Sequence, residues 1–219
     1  MKKTIVWLVM LLSSANAQDY QKSSDIVLFN TTRTHYKEGK NIDSIYTNGT
    51  GFVVGCKYYT VDHVVSQYNI QIESPFGIIY KTFERLKEDT FVENEKLEEI
   101  VNNKNNDVAI FSLTTNLCKK YKNDIKFSYD IQLGQEVYYI GNPNLTGKTL
   151  RHSRISRLSP PDNVSIEYKD SIGLDTYVIK GDSGSPVFNI NGEVIGVIQS
   201  FYGGIGYFKP IKQFIEAVR

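Results

Sequence analysis

Short apolar runs separated by polar turn residues dominate the pattern of hydrophobic positions along this chain. The runs are rich in Val, Ile, Phe and Tyr, residue types that favour strands. They fall at residues 26–29, 51–56, 58–61, 68–73, 78–83, 108–113, 136–140, 177–179, 185–190, 194–199 and 205–208. Many short strands with regular turn signals predict an all-β barrel or sandwich rather than alternating βαβ units. Between two of these runs, Asn191 and Gly192 predict a tight hairpin.

Two stretches depart from this strand pattern. Residues 84–106 are charged and rich in Asn, Lys and Glu, and they predict a surface loop with a short helix. In the second stretch four apolar residues follow Pro210 at helical spacing: Ile211, Phe214, Ile215 and Val218. Such a stripe is typical of an amphipathic helix, and Pro suits its first turn. We therefore expect a closing helix over 210–218 that packs on the barrel.

The N-terminus has the three-part layout of a secretory signal. Residues 1–3 are basic at two positions, residues 4–12 are mostly apolar, and residues 13–17 are small and end in an Ala-x-Ala pattern. We expect cleavage after Ala17 and a mature chain, residues 18–219, that is secreted or periplasmic. The alternative is an uncleaved anchor, but the apolar run is shorter than the roughly 20 residues that a membrane span needs. No stable membrane anchor is expected after cleavage.

Charge and cysteine content narrow the candidate functions only slightly. The chain of 219 residues has 25 Lys+Arg and 24 Asp+Glu, a net charge of +1, which neither favours nor excludes nucleic acid, and we assign no nucleic-acid partner. In an oxidising compartment Cys56 and Cys118 could form one disulfide or remain two buried thiols. Neither has a His or Cys neighbour at metal-ligand spacing, so no metal and no cofactor is predicted.

The strongest chemical signal is a serine set among glycines in residues 179–188, which read Ile-Lys-Gly-Asp-Ser-Gly-Ser-Pro-Val-Phe. The glycines allow unusual dihedrals around Ser183, and such a turn can aim the N–H groups of Gly181 and Ser183 into one small space. That arrangement is what an oxyanion hole requires. The alternative is an ordinary turn, since these residue types are common in turns. The serine is a nucleophile only if a histidine, oriented by a carboxylate, can reach it.

His63 and Asp107 are the best candidates for these two partners. His63 directly follows a strand, where it would be exposed at the edge of a cleft, and Asp107 directly precedes the strong apolar run 108–113. The other histidines lie in polar or basic stretches, namely His35 and His152. The rival acids do not precede a strong strand, namely Asp124 and Asp130.

With these residues in view, the chain resembles the trypsin/chymotrypsin-fold serine proteases, particularly their bacterial HtrA-type and glutamyl-endopeptidase-type branches. Four motifs in order carry the resemblance: Gly-Thr-Gly-Phe-Val-Val at 49–54, Thr-Val-Asp-His-Val at 60–64, Asp-Val-Ala-Ile at 107–110 and Gly-Asp-Ser-Gly-Ser-Pro-Val at 181–187. It covers residues 25–219. It implies two six-stranded antiparallel β-barrels, about 25–120 and about 130–208, with the closing helix behind them. It also implies a triad of His63, Asp107 and Ser183 in the cleft between the barrels, with an oxyanion hole at Gly181 and Ser183.

The same resemblance places the primary substrate pocket at Tyr177, Ile179, Ser200 and Phe201. Tyr177 stands where a trypsin-like pocket carries Asp, so we expect small or aliphatic side chains rather than Lys or Arg to be accepted. A glutamyl preference would need a second histidine near the pocket, and only His152 could supply it. The sequence also departs from the family at Asp62, where Ala usually precedes the histidine. This extra carboxylate would either raise the pKa of His63 or face solvent.

The function expected from these features is secreted serine endopeptidase activity on protein or peptide substrates, through an acyl-enzyme intermediate. One alternative is a catalytically silent binding module on the same fold. Another is an esterase, although the order His, Asp, Ser differs from the Ser, Asp, His order of α/β-hydrolases. The natural substrate and the oligomeric state are left open by the sequence.

Overall fold

Antiparallel strands make up most of the chain, and the helices between them are short. The structure, a computed structural model, describes residues 20–38, 41–66, 70–74, 77–81, 84–160 and 170–217, so the predicted signal segment lies outside the described residues. Within these ranges there are four α-helices: α1 (described residues 20–25), α2 (Asp62–Val65), α3 (Thr115–Lys120) and α4 (Ile211–Glu216). Within the described ranges, no helix is long and apolar enough to cross a membrane.

The N-terminal half forms an open seven-stranded sheet. Its strands are β1 (Val27–Glu38), β2 (Asn41–Val54), β3 (Lys57–Thr60), β6 (Glu84–Val92), β7 (Glu95–Lys96), β8 (Glu98–Asn103) and β9 (Val108–Ser112). Across the sheet the order is β7-β6-β1-β2-β3-β9-β8. The two edge strands are separated in the chain only by Leu97, so the sheet curves into a half-barrel. A separate two-stranded sheet consists of β4 (Ile70–Ser74) and β5 (Gly77–Lys81), where the runs 68–73 and 78–83 predict strands.

The C-terminal half forms a closed six-stranded barrel. Its strands are β10 (Glu136–Gly141), β11 (Thr149–Arg157), β12 (Ile172–Leu174), β13 (Pro186–Asn189), β14 (Val194–Tyr202) and β15 (Ile205–Pro210). They close in the order β10-β11-β12-β15-β14-β13. The predicted hairpin at Asn191 and Gly192 joins β13 to β14, and Gly192 has a φ of +74°, which glycine adopts without strain.

Alternation along β10 shows how the barrel joins the half-barrel. Successive strand residues point to opposite faces of a sheet. Val137 and Tyr139 accordingly lie in the core inside the barrel, whereas Tyr138 lies in a larger core that includes the apolar side chains of the half-barrel. Ile211 and Phe214 of α4 are fully buried in that larger core. The closing helix predicted from its apolar stripe is thus confirmed, and it packs between the two units.

The predicted all-β class with a C-terminal helix is confirmed, but two details differ. The first unit has seven strands and is open among the described residues, where the resemblance implies a closed six-stranded barrel. The prediction of a loop with a short helix over 84–106 is wrong, because this stretch forms β6, β7, β8 and a 3₁₀ turn (Lys104–Asn106). Edge strands tolerate charge on their solvent side while residues such as Val92 and Leu97 face the core.

A disulfide ties the half-barrel together. Cys56 and Cys118 are bonded, with 4.8 Å between their Cα atoms, and of the two sequence alternatives the disulfide is the one present. It joins the turn after β2 to α3, across a sequence separation of 62 residues. Closing a loop of this length restricts the unfolded chain and stabilises the fold by about 4 kcal/mol in the chain-entropy description.

Candidate active site

His63 lies in the first turn of α2, directly after the chain leaves β3. Val61 is still extended, with φ −98° and ψ 149°, and the helix begins at Asp62. Val64 and Val65 are buried and anchor this single helical turn, while the side chain of His63 keeps 45% of its surface exposed. The strand-end position predicted for His63 is therefore observed. Asp62 itself is buried rather than facing solvent.

Asp107 is held rigidly opposite this histidine. It ends the 3₁₀ turn that the Asn103 side chain caps, and it takes a left-handed conformation with φ +52° before β9 begins. The backbone N–H of His63 donates to Oδ1 of Asp107 at 3.0 Å, and Nδ1 of His63 lies 3.0 Å from both carboxylate oxygens. A proton on Nδ1 is thereby favoured, which leaves Nε2 of the neutral ring as the basic nitrogen.

The charged form of Asp107 is stabilised despite its burial. Burial alone would raise the pKa of this carboxyl, but the charge and hydrogen bonds of His63, together with a hydrogen bond from the Gln199 side chain, hold the pKa below its ordinary value. Gln199 is buried, and Ser171 donates to its Oε1 at 2.6 Å. This bond fixes the amide so that its NH₂ group serves the carboxylate. Sequence reasoning did not identify Gln199 as a partner of Asp107; its signal is a polar side chain that interrupts the apolar run of β14.

The turn that carries Ser183 has every carbonyl from residue 180 to residue 183 paired. Lys180 O accepts from the N–H of Asn144 at 2.7 Å, Gly181 O from the Thr50 hydroxyl at 2.7 Å, Asp182 O from the N–H of Ser185 at 3.0 Å, and Ser183 O from the N–H of Thr50 at 3.3 Å. Buried backbone groups are nearly always paired, so this network fixes the orientation of each peptide in the turn. Neither Thr50 nor Asn144 was identified from the sequence as a partner of this turn.

The N–H groups of Gly181 and Ser183 behave differently from their neighbours. The N–H of Asp182 donates to Ile179 O at 3.0 Å and that of Gly184 to Ile198 O at 2.8 Å. Within the described part of the chain, neither the Gly181 nor the Ser183 N–H donates to a protein acceptor. Because C=O and N–H point in opposite directions in a trans peptide, the Gly181 N–H points away from the loop that pairs with Lys180 O. Two unpaired donors two residues apart are available for an anionic oxygen.

Glycine is required at position 181 for two reasons. Its φ is +99°, a left-handed conformation that strains other residues. A Cβ there would also lie only 2.2 Å from the carbonyl oxygen of Asn142. Gly181 thus has the unusual dihedral angle that the sequence predicted for the glycines around Ser183.

His63 and Ser183 line one cleft between the half-barrel and the barrel. The cleft has a volume of about 850 Å³. Tyr46, Thr47 and His63 are among the residues that line it from the first unit, and Leu145, Lys180, Gly181 and Ser183 are among those from the second. Oγ of Ser183 donates to the carbonyl oxygen of Gln199 at 3.2 Å. The structure thus brings all three predicted chemical residues to one place, with Asp107 behind His63.

Asp182, beside the nucleophile, is a second buried acid with incomplete bonding. Its Oδ2 accepts from the N–H of Ile179 at 3.2 Å and from the Tyr139 hydroxyl at 3.5 Å. Its Oδ1 is buried and has no partner among the described residues. Burial raises the pKa of this carboxyl, and the hydrogen bond from Ile179 and the charge of Arg151 only partly oppose that.

The residues predicted to form the primary pocket lie next to the turn. The rings of Tyr177 and Phe201 stack with centroids 5.1 Å apart, and both keep large exposed fractions, 62% and 44%. Tyr177 O accepts from Arg151 and from the Tyr139 hydroxyl. Ile179 and Ser200 are half-buried, and these four residues are not in the lining of the 850 Å³ cleft. His152 packs against the rings of Tyr20 and Tyr138.

Residues 49–197, more than half of the chain, match the family described as the trypsin-like peptidase domain. The matched segment begins in β2 and ends in β14. It contains the histidine, the aspartate and the serine that line or support the cleft.

Solved structures of proteases share the fold. The HtrA-type protease AlgW with a tripeptide gives a TM-score of 0.65 at 18% identity, covering 92% of this chain and 61% of AlgW. The Rv3671c protease of M. tuberculosis in its active form gives 0.62 at 19%, with coverages of 91% and 83%, and Deg5 gives 0.62 at 19%, with 93% and 92%. The chain spans less than two thirds of the AlgW length. At these identities the likeness shows the fold alone.

Proposed function

Because the chain belongs to the trypsin-like peptidase family, we propose that it is a serine endopeptidase with His63, Asp107 and Ser183 as its catalytic triad. The observation that carries the proposal is the Asp107 carboxylate, which accepts from both the backbone N–H and Nδ1 of His63 at 3.0 Å. His63 lines the same cleft as Ser183, with Asp107 behind it. A histidine fixed in this tautomer is what a serine nucleophile requires of its base.

On this proposal the reaction begins when the Ser183 hydroxyl leaves the carbonyl oxygen of Gln199 and turns to Nε2 of His63. Oγ of Ser183 attacks the carbonyl carbon of the scissile peptide while Nε2 of His63 takes the hydroxyl proton. The Asp107 carboxylate stabilises the imidazolium that forms. The N–H groups of Gly181 and Ser183 donate to the oxyanion, each worth about 3–4 kcal/mol in the transition state. His63 then gives its proton to the leaving amine, and water, activated by the same histidine, hydrolyses the acyl-enzyme.

Small or aliphatic side chains are the proposed preference at the residue whose carbonyl is attacked. Tyr177 occupies the position where a trypsin-like pocket would carry an acid, and its ring stacks on Phe201. The carboxylate of Asp175, two residues earlier, is engaged by the Ser153 hydroxyl at 2.7 Å and by the N–H of Arg154 at 2.6 Å. The Tyr177 side chain offers no charge for a Lys or Arg side chain, and the Asp175 carboxylate is held on β11 by its bonds to Ser153 and Arg154.

Secretion or a periplasmic location is proposed from the signal-like segment 1–17. The disulfide between Cys56 and Cys118 supports it, because structural disulfides persist mainly in oxidising compartments. On this proposal the active protein is residues 18–219, and protein or peptide chains are its substrates. The bound tripeptide and decapeptide of the AlgW structures support peptide substrates by analogy of fold.

The test is cleavage of a diverse peptide library by purified residues 18–219. We expect hydrolysis that Ser183→Ala abolishes, with cleavage after small or aliphatic residues. Ser156→Ala is the matched control, since Ser156 is exposed on β11, and it should cleave as the wild type does. No cleavage by the wild type, with peptide binding retained, would replace the proposal with a silent binding module. Cleavage mainly after Lys or Arg would refute the pocket preference alone.

A further inference from the structure

Thr50 connects the half-barrel to the serine turn through two of its atoms. Its hydroxyl donates to Gly181 O at 2.7 Å, and its N–H donates to Ser183 O at 3.3 Å. Its own carbonyl oxygen accepts from the hydroxyl of Thr60 at 2.7 Å. Thr50 is fully buried in β2, on the opposite unit from the serine. Two of the four paired carbonyls of the turn therefore depend on one residue of the other unit.

The packing around Thr50 leaves little room for adjustment. A Cβ on Gly184 would lie 1.8 Å from Thr50 O and 2.4 Å from the Thr60 hydroxyl. The turn is thus pressed against β2 at the residue that follows Ser183. Thr60 lies in β3, which pairs with β2. The bond from Thr60 restrains the backbone of Thr50, whose hydroxyl donates to Gly181 O.

The hydroxyl of Thr50 acts on the peptide that follows Gly181. That peptide has its N–H, from Asp182, bonded to Ile179 O and its C=O bonded to Thr50. Peptides are planar, so fixing the direction of this C=O also restricts ψ of Gly181. Gly181 has no Cβ and can otherwise rotate freely. Without the Thr50 hydroxyl, the N–H groups on either side of residue 182 lose one of the bonds that orient them.

We propose that Thr50 is a positioning residue for the oxyanion hole, holding the Gly181 and Ser183 peptides in the orientation that leaves both N–H groups free for the substrate oxygen. This inference rests on the proposed serine peptidase function. Thr50 is fully buried and does not line the cleft, so it acts through the turn. A purely structural buried hydroxyl would contribute to stability alone. A positioning residue contributes to the rate of acylation, because only the transition state carries the oxyanion.

The experiment compares Thr50→Val with Thr50→Ser. Valine keeps the β-branched shape of threonine but has a methyl group in place of the hydroxyl, whereas serine keeps the hydroxyl and lacks the methyl group. We expect Thr50→Val to lower kcat by roughly 10- to 100-fold with KM nearly unchanged, the size of effect that a small misplacement of catalytic groups produces. Affinity for a peptide boronate, which forms a tetrahedral adduct, should fall by a similar factor. Thr50→Ser should restore both values to within about threefold of wild type.

Thr90→Val is the control for loss of a buried hydroxyl. Thr90 lies in β6 and its hydroxyl bonds that of Thr32 at 3.0 Å, outside the cleft lining. We expect Thr90→Val to lower the thermal midpoint without changing kcat. An unchanged kcat and boronate affinity in Thr50→Val would overturn the inference, as would a loss in kcat that Thr50→Ser shares. Absence of activity in the wild type would instead contradict the proposed function itself.

Discussion

Two buried aspartates flank the cleft, one on each unit, and their pKa values shift in opposite directions. Burial disfavours the charged form of both carboxyls. Asp107, on the half-barrel, receives three hydrogen bonds from His63 and Gln199, and its pKa is lowered. Asp182, on the barrel, has weaker partners and a bare Oδ1, and its pKa is raised. The hydrogen-bonding and charged partners, not the burial, set the direction in which each pKa shifts.

The two acids accordingly suit different roles. A carboxylate that stays charged beside His63 can stabilise the imidazolium formed during acylation. Asp182 gives the turn its shape, because its N–H and C=O bond Ile179 and Ser185. Its side chain adds a buried polar group that is only half satisfied. Asp107 therefore serves the charge of the site, and Asp182 serves the shape of the turn that carries Ser183.

Replacing Asp107, the aspartate with the lowered pKa, by Asn has the largest expected effect on activity. An amide is neutral and cannot stabilise the imidazolium as the carboxylate does. Its NH₂ group can also donate to Nδ1 of His63, which favours the tautomer with the proton on Nε2. We expect kcat to fall by about 10⁴-fold with the fold intact. Asp130→Asn is the matched control, since Asp130 is exposed and lies in the link before β10. A loss of less than tenfold in Asp107→Asn, measured by steady-state kinetics on a cleaved peptide, would remove Asp107 from the triad.

Removing the disulfide tests whether the open sheet of the half-barrel depends on a covalent link for its stability. Among the described residues the sheet of the half-barrel is open and is tied by Cys56 and Cys118, whereas strand hydrogen bonds close the barrel. We expect the double change of both cysteines to Ser to lower the free energy of unfolding by about 2–5 kcal/mol. Denaturant unfolding followed by the fluorescence of the protein measures it. No change in the midpoint would mean that the half-barrel is stable without its covalent tie.

Gln199→Leu should bring the pKa of Asp107 closer to that of Asp182, because Asp107 would lose one of its hydrogen-bond donors. The change removes the amide that donates to the carboxylate and keeps a similar volume in β14. We expect kcat to fall by roughly 10-fold, in keeping with the worth of a hydrogen bond to a charged group. The pKa of Asp107 should rise toward its ordinary value. A group with a lowered pKa stabilises the fold above its unfolded pKa and loses that contribution as pH falls. Acid unfolding of the variant should therefore begin at a higher pH.

Circular dichroism across an acid titration, on wild type and Gln199→Leu together, measures that shift. Acid midpoints that coincide would show that the Gln199 amide does not stabilise the charged carboxylate.

Asp182→Asn has the smallest expected effect, and it should raise the stability of the fold where the preceding changes lower stability or activity. A raised pKa means that the carboxyl favours folding when it is protonated, below its unfolded pKa, and that this contribution is lost as pH rises through the folded pKa. The amide carries no charge at any pH. We expect Asp182→Asn to be more stable than wild type by about 1–2 kcal/mol at pH 8. The difference should shrink as the pH falls below the ordinary carboxyl pKa. Lower stability of the variant at pH 8 would mean that Oδ1 is better satisfied than the bonding suggests.

Local signals were enough to predict most of the strands, the hairpin, and His63 and Ser183 of the cleft. Residues 177–179, predicted as a strand, form none, and β12 was not among the predicted runs. His63 and Asp107 could be found because each adjoins an apolar run, and Gly181 because few other residues tolerate such a turn. The charged stretch 84–106 was misread because its strands lie at a sheet edge, where charge and turn residues outnumber the core side chains. Gln199 and Thr50 were missed since their partners are far away in the chain. Only the closed tertiary structure brings a β2 threonine to the serine turn.

The most direct test of the account is reaction of residues 18–219 with a fluorophosphonate, followed by peptide mapping of the adduct. The probe reacts with a serine only when a base and an oxyanion hole activate it. The account predicts one phosphonylated residue, Ser183, with labelling absent in Ser183→Ala and strongly slowed in Asp107→Asn. A wild-type protein that is folded yet unlabelled, or labelled at another residue, would contradict it.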